Sequence, residues 1–190
     1  MVNKLEIEKM LQEFLPGLPE TTIAQITAQA DFFSSQKGTK LIVERKRHYY
    51  FYLILKGGVK SYYLRDSREV CSWFAFEGEW ISTIKSFEGM GSNETIELLE
   101  DAEFIRFNIH SIKQMAEEDI DLSHWLMRLI TEHAVFLEEK LYQLQFMTSQ
   151  ERYKAVIEAN PEILQRVSLT DIASYLGMSR ETLSRVRAQK

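Results

Sequence analysis

Three side chains near the end of the sequence have the chemistry and spacing needed to recognise DNA bases. They are Arg180, Glu181 and Arg185, in the segment SRETLSR that begins at Ser179. Arginine can donate two parallel hydrogen bonds to O6 and N7 of guanine, and glutamate can accept one from the N4 amino group of cytosine. The chemistry offered by this segment is therefore the reading of base edges in the major groove.

Two short helices are predicted to position these side chains. Ser168 caps the first, which begins near Leu169, and its apolar residues recur every three or four positions. Gly177 provides the backbone freedom to leave that helix, and Ser179 caps a second helix over 180–188. Two helices joined by a tight turn are typical of a helix-turn-helix that reads the major groove. An ordinary helical hairpin with solvated arginines is the alternative interpretation.

The distribution of charge favours DNA as the partner. Residues 166–190 contain five Lys or Arg and two acids, whereas the whole chain has a net charge of −5. A basic end on an acidic protein concentrates its attraction for phosphates in one place. Binding through such a patch is expected to depend on salt.

The middle of the chain predicts a β-rich sensor domain. Short runs over 41–43, 49–55, 59–64 and 70–76 are dense in branched and aromatic residues, and glycines or polar turn residues separate them. This pattern indicates an antiparallel β-roll, similar to a jelly roll. Cys71 falls in the last of these runs and is expected to be a small buried residue.

A helical period returns over about 112–147. Ile130, Leu137 and Leu144 lie seven residues apart and would form one apolar seam. His133 and Lys140 interrupt a strict heptad, as polar residues that specify a register can do. We expect a dimerisation helix, and the alternative is a buried core helix in a monomer.

A capping box starts at Thr148, so a new helix begins there and the preceding junction is the expected hinge. The predicted fold class is α+β, with two domains. Residues 1–147 form the β-roll with its flanking helices and dimerisation helix, and residues 148–190 form a small all-helical helix-turn-helix domain.

The segment IASYLGMSRETLSR resembles the helix-turn-helix of the Crp/Fnr family of bacterial transcription regulators. Upstream, KGTKLI and YLILKGGVKSYY resemble the cyclic-nucleotide-binding roll of that family. The resemblance implies a sequence-specific transcription regulator in which Arg180, Glu181 and Arg185 face bases. It also implies that three hydroxyl side chains contact the phosphate backbone: Ser168, Thr170 and Ser179.

The same resemblance implies a set of partners: a double-stranded DNA operator, a second copy of the chain, RNA polymerase and an unidentified small-molecule effector. The sequence has no apolar run of membrane-spanning length and no signal-peptide core, so we expect a cytoplasmic protein without membrane attachment. The family usually adds a β-hairpin wing after the recognition helix, and only a few residues follow here. A wing-less subgroup or a truncated sequence would explain this. The alternative function is a ligand-binding or signalling module that has lost DNA binding.

The effector cannot be assigned as cyclic AMP. In the resembled family a Gly-Glu pair and an arginine hold the nucleotide, and Gly78-Glu79 matches the pair. The positions that should supply the arginine are Ser92 and Asn93, and no Lys or Arg occurs from 86 to 104. Two interpretations stay open. The roll contains a more apolar ligand cavity with aromatic walls, or its aromatic side chains fill the interior and nothing binds. The candidate pocket residues are Trp73, Gly78, Glu79, Trp80, Ser92 and Asn93.

Catalysis and metal binding have no support in the sequence. A single cysteine excludes an internal disulfide, and the four histidines show no metal-ligand spacing. No nucleophile motif or phosphate loop is present. We therefore predict no catalytic residues, no metal site and no cofactor, and a cupin-type enzyme is the least favoured reading.

Overall fold

A computed structural model describes residues 4–188, so the ends of the two predicted domains, residues 1–3 and 189–190, lie outside the described residues. The strands, in chain order, are Ala30–Ser35 (β1), Lys40–Ile42 (β2), Tyr50–Lys56 (β3), Val59–Arg65 (β4), Arg68–Ala75 (β5), Trp80–Ile81 (β6), Thr95–Leu98 (β7) and Ala102–Asn108 (β8). They form two four-stranded antiparallel sheets, ordered β1-β8-β3-β6 and β2-β7-β4-β5. The predicted antiparallel roll is confirmed.

The helices lie before and after the strands, with one short helix between β6 and β7. They are Lys4–Phe14 (α1), Glu20–Ala28 (α2), Ile84–Phe87 (α3), Ile109–Glu118 (α4), Ile120–Phe146 (α5), Ser149–Ala159 (α6), Ile163–Arg166 (α7), Leu169–Tyr175 (α8) and Arg180–Ala188 (α9). Roll, long helix and small helical unit follow one another as the predicted α+β class requires.

Strand β3 explains why its sequence is an almost continuous apolar run. Phe51 and Leu53 face the layer formed by α1, α2, α4 and the start of α5. Tyr52 and Ile54 face the second sheet. Because successive side chains of a strand point to opposite faces, a strand buried on both faces needs apolar residues at nearly every position. The first sheet is thus the middle layer of the roll.

Two turns in the roll need left-handed backbone. Gly57, between β3 and β4, has a φ of 92°, and a Cβ there would lie 2.7 Å from the Cβ of Ala102. Asp66 and Ser67, between β4 and β5, have φ values of 51° and 62°. Two consecutive residues with positive φ are typical of a tight hairpin turn. The predicted turns at these positions are confirmed.

The prediction of one dimerisation helix over about 112–147 is wrong at the N-terminal end of the segment. The segment forms two helices, because Asp119 has extended backbone (φ −116°, ψ 106°) and its carboxylate caps α5 by accepting from the N–H groups of Asp121 and Leu122. Thr22 donates a 2.5 Å hydrogen bond to the same carboxylate, which lowers the pKa of Asp119. The long helix α5 therefore begins at Ile120 and contains 27 residues.

The junction after α5 matches the expected hinge position. Met147 has extended backbone (φ −90°, ψ 142°), and the Thr148 side chain accepts from the N–H of Glu151 while the Glu151 carboxylate accepts from the N–H of Thr148. This complete capping box starts α6. A movement of the two predicted domains about this junction stays a prediction.

Candidate nucleic-acid interface and sensor clefts

Helices α8 and α9 form the predicted helix-turn-helix from local signals. The Ser168 hydroxyl accepts a 3.1 Å hydrogen bond from the N–H of Asp171, and the Ser179 hydroxyl accepts one of 3.1 Å from the N–H of Thr182. Gly177 leaves α8 with a φ of 64°. Ser168 and Asp171 form only half of a capping box, because the Asp171 carboxylate accepts a hydrogen bond from the Ser168 hydroxyl instead of from the Ser168 backbone N–H.

Apolar contacts hold α9 against the rest of the helical unit. Leu183 on α9 is buried at 1% exposure, and it packs in one cluster with Ile172, Ala173 and Leu176 of α8. Since α9 contributes Leu183 to this cluster, its opposite, polar side is left towards solvent. Leu183, and not Arg180, Glu181 or Arg185, thus anchors α9 to α8.

All six predicted DNA-contacting residues are exposed. They are Ser168, Thr170, Ser179, Arg180, Glu181 and Arg185. The Arg185 guanidinium donates a 3.2 Å hydrogen bond to Thr182 within α9. Glu181 lies in the first turn of α9, and hydrogen bonds from its own backbone N–H and from Ser179 lower the pKa of its carboxyl. The three base-reading candidates are therefore accessible and charged, and their contact with DNA stays a prediction.

The helical unit is docked on the roll through Arg166. Its guanidinium donates to both carboxylate oxygens of Glu77, at 2.8 and 2.9 Å, and to Glu100 at 2.9 Å. The guanidinium also lies 4.4 Å from the ring centroid of Phe76. Charge-assisted hydrogen bonds with this forked geometry are among the stronger polar contacts in proteins. Sequence reasoning missed this contact.

A second group of docking contacts surrounds α8. The N–H of Cys71 on β5 donates a 2.9 Å hydrogen bond to the Ser174 hydroxyl, and Lys60 on β4 lies 3.5 Å from the Asp171 carboxylate. Phe74 and Tyr175 bring their ring centroids to 5.2 Å. Sheet β4–β5 and helix α8 therefore share polar and aromatic contacts across the predicted domain boundary.

The long helix α5 contacts α8 through Lys140. Its ammonium donates a 2.7 Å hydrogen bond to the Tyr175 carbonyl and lies 3.1 Å from the centroid of the Tyr175 ring. Burial lowers the pKa of Lys140 to about 8. Lys140 is one of the two polar residues that interrupt the predicted heptad, and in this structure it faces the helical unit.

The predicted effector residues are not all brought together. Trp73, Gly78, Glu79 and Trp80 line a cleft of about 330 Å³ between the roll and α5. The Glu79 carboxylate accepts a 2.6 Å hydrogen bond from the N–H of Phe76, and burial raises its pKa. In this arrangement Glu79 stabilises its own turn.

Ser92 and Asn93 are placed elsewhere. The Ser92 side chain is 1% exposed and exchanges hydrogen bonds with the backbone of Glu94. Asn93 accepts a 2.7 Å hydrogen bond from Lys85 and lines a second cleft, of about 490 Å³. Trp73 lines both clefts. Five of the six predicted pocket residues therefore line one or both of two neighbouring clefts, and Ser92 lines neither of them. Ligand binding in either cleft stays a prediction.

Between residues 4 and 188, no group of three or more His, Cys, Asp or Glu side chains is placed to hold a metal ion. Over the same range, no helix has both the length and the apolar character needed to span a bilayer.

Neither a protein-family model nor a curated protein sequence matches the chain. Solved structures do match. FixK2 from Bradyrhizobium japonicum has a TM-score of 0.76 and 24% identity, over 84% of this chain and 83% of that chain. The c-di-GMP-responsive global regulator CLP from Xanthomonas campestris has a TM-score of 0.65 and 18% identity, over 90% and 91%. The catabolite activator protein of Thermus thermophilus has a TM-score of 0.60 and 17% identity, over 92% and 84%. These similarities show that the chain has the fold of the Crp/Fnr transcription regulators, as the resemblance of its helix-turn-helix and roll implied.

Proposed function

We propose that the chain is a homodimeric, sequence-specific DNA-binding transcription regulator of Crp/Fnr type, in which α9 reads the major groove. The observation that carries the proposal is the arrangement of α9. Leu183 is buried beneath the helix, while Arg180, Glu181 and Arg185 are exposed. A recognition helix needs this division, because one side must be held by the domain and the other must reach base edges.

Two proteins with this fold support the role by analogy. CLP is named a global regulator linked to virulence gene expression, and the Thermus protein is named a catabolite activator. Transferred to this chain, the role places it in the cytoplasm with a DNA operator and RNA polymerase as partners. Both are named as regulators, and the absence of catalytic residues from this chain stays a prediction.

The dimer is supported by the predicted apolar seam of α5, because Ile130, Leu137 and the flanking Leu141 remain partly exposed in a single copy of the chain. Exposed fractions along this seam are 42% for Ile130, 49% for Leu137 and 56% for Leu141. Apolar side chains repeating at this spacing are typical of a helix that packs against a parallel copy of itself. Two recognition helices related by a two-fold axis would read half-sites about one helical turn apart.

The test is selection of binding sites from a random duplex DNA library, followed by sequencing. We expect an inverted repeat whose half-sites lie about 10 base pairs apart or a multiple of that distance. Enrichment without a symmetric sequence would contradict a dimeric reader.

The docking contacts favour one alternative, a ligand-binding or signalling module that has lost DNA binding. Arg166, Ser174 and Lys140 tie the helical unit to the roll and to α5. A unit held in this way could transmit a signal without DNA. Under this alternative, the library selection enriches no sequence at any salt concentration.

A further inference from the structure

The loop between β2 and β3, residues 43–49, carries a concentrated positive charge. Three basic residues follow one another only once in the sequence, at Arg45, Lys46 and Arg47, and all three are exposed. Glu44 is the one acid of the loop, and its carboxylate lies 3.5 Å from the Arg45 guanidinium. Among residues 4–188, Lys46 and Arg47 form no ion pair. The loop therefore offers free cations on a chain whose net charge is negative.

A second loop, residues 89–93, fixes the backbone of the β2–β3 loop. The N–H of Arg45 donates a 2.7 Å hydrogen bond to the Ser92 carbonyl, and the N–H of Ser92 donates one of 3.1 Å to the Lys46 carbonyl. Arg47 forms an antiparallel bridge with Gly91, where an added Cβ would lie 2.9 Å from the Arg45 carbonyl oxygen. Because the backbone is already ordered, a partner that binds the three cations does not have to order it.

Arg45 has an unfavourable backbone conformation. Its φ is 64°, in the left-handed region that residues with a Cβ rarely adopt. Glycine would adopt this conformation without strain, yet the chain has an arginine whose side chain is 90% exposed. A strained residue with so exposed a side chain adds little to packing. Its strain is of the kind that is concentrated at functional sites.

Aromatic residues continue the basic run towards β3. Tyr49 is 55% exposed, and its backbone carbonyl accepts a 2.9 Å hydrogen bond from the N–H of Ile109. Tyr50 is half-buried, with the Arg106 guanidinium 4.9 Å from its ring centroid. Burial lowers the pKa of His48 to about 4, so this ring is neutral at pH 7. The surface thus combines the cations of residues 45–47 with one exposed ring, that of Tyr49.

We propose that the β2–β3 loop binds single-stranded nucleic acid, with Arg45, Lys46 and Arg47 on phosphates and Tyr49 stacked on a base. A single strand offers regularly spaced negative charges together with unpaired bases that can stack on an aromatic ring. A duplex keeps its bases stacked on one another, so it could use the cations but not the ring. An acidic peptide has charge without bases. The combination on this surface therefore favours a single strand over both.

The loop lies at the end of the roll away from the helix-turn-helix unit. Strand β3 begins at Tyr50, directly after the loop, and ends at Lys56. Beside that end, the N–H of Gly57 donates a 2.8 Å hydrogen bond to Glu77, the partner of Arg166. A strand of this length spans about 20 Å, so α9 and the loop are separate surfaces. Binding of a single strand therefore does not rest on the proposed function.

Binding is tested by fluorescence anisotropy with oligouridylate and oligothymidylate, beside polyglutamate, each of about 12 units. At low salt, at least one oligonucleotide should bind about tenfold more tightly than polyglutamate, because only the oligonucleotide stacks. If three phosphates are contacted, log K should fall with log salt concentration at a slope of about −2. Binding of one oligonucleotide alone identifies the source as RNA or DNA. Binding of neither, or equal binding of polyglutamate, overturns the proposal.

Variants locate the site. Lys46→Ser combined with Arg47→Ser should reduce the salt slope to about −0.7, and Tyr49→Ala should weaken binding about tenfold. The matched control combines Arg65→Ser with Arg68→Ser, which removes the same charge from exposed positions of β4 and β5. This control should bind as wild type does. Equal losses in the two double variants indicate non-specific attraction and overturn the site, as does undiminished binding by both loop variants.

Competition with the selected operator duplex separates the loop from α9. Oligonucleotide affinity should be unchanged when the duplex is saturating, and displacement by the duplex would place both ligands on one surface and overturn the proposal. The loop variants should bind the operator as wild type does. If the wild type binds an oligonucleotide through the loop but binds no duplex, the proposed function fails and the single-strand site stands.

Discussion

The guanidinium of Arg166 holds the carboxylate of Glu77 in a forked pair, with Nη1 2.8 Å from Oε2 and Nη2 2.9 Å from Oε1. The two residues belong to different predicted domains and are separated by 89 positions along the chain. The pair joins the loop after β5 to the helix that precedes the helix-turn-helix. The orientation of the helix-turn-helix unit therefore depends on a specific contact with the roll.

Arg166→Met should loosen the docked unit. The substitution removes the charge-assisted hydrogen bonds and keeps much of the side-chain length, so docking should weaken by about 1–3 kcal/mol. The Cys71 amide reports on docking, since its N–H donates to Ser174 of α8. Its hydrogen exchange should become faster in Arg166→Met. Arg65→Met, at an exposed position of β4, should leave the rate unchanged, and unchanged exchange in Arg166→Met would show that Arg166 does not hold the unit.

Acid should release the same contact. The hydrogen bond from Arg166 lowers the pKa of Glu77 to about 2, from an ordinary value of 4.5. Because the pKa is lower in the docked form, Glu77 stabilises docking fully above about pH 4.5, and this contribution is lost as the pH falls from there towards 2. Small-angle scattering between pH 6 and 3 should show a more extended wild type at the acid end. Glu77→Gln should be less compact already at pH 6, and identical pH profiles for the two proteins would contradict the role of Glu77.

Gly177→Ala should destabilise the turn of the helix-turn-helix. Gly177 has a φ of 64°, and an added Cβ would lie 3.0 Å from Cδ2 of Leu144 on α5. Backbone strain at positive φ costs about 1–2 kcal/mol, and the close contact should add to it. Gly89→Ala is the matched control, because Gly89 has a φ of 68° with open space around the added atom. In thermal unfolding, Gly177→Ala should lose more stability than Gly89→Ala, and equal losses would mean that the Leu144 contact has no effect.

Leu141→Glu should abolish the dimer and preserve the fold. Leu141 is 56% exposed, so a charge there costs little in one copy but lies within the predicted seam between two copies. Light scattering should report a monomer for this variant and a dimer for wild type. Val135→Glu, which lies about 120° around the helix from Leu141 and is 49% exposed, should remain dimeric. A dimeric Leu141→Glu protein would place the interface elsewhere.

Elements built from neighbouring residues were predictable from the sequence. The caps at Ser168, Ser179 and Thr148 and the exit at Gly177 act within four residues of their targets, and the structure has each of them. The break at Asp119 was predictable in the same way, because aspartate is a favoured N-cap and the N–H groups that donate to its carboxylate lie two and three residues ahead. Apolar residues recur at helical spacing on both sides of Asp119, and for this reason the sequence predicted one helix that runs across the cap.

Contacts that depend on three-dimensional packing were not predictable. Nothing near Arg166 indicates that its partners are Glu77 and Glu100. Ser92 and Glu79 were assigned to one pocket from their order along the chain, but the fold buries Ser92 and turns Glu79 onto the N–H of Phe76. Residue type and spacing could suggest what a sensor pocket requires, whereas the packing of roll, α5 and α8 decides which side chains share a space.

The most direct test of the central claim is fluorescence anisotropy on the selected operator, with wild type, Arg180→Met and Arg65→Met, each compared on matched and base-substituted duplexes. Wild type and Arg65→Met should discriminate against the altered base pair by about 1–3 kcal/mol, and Arg180→Met should lose that discrimination while keeping salt-dependent binding. Undiminished discrimination by Arg180→Met would contradict its role as a base reader. Failure of wild type to bind any duplex at low salt would contradict the assignment of the chain as a DNA-binding regulator.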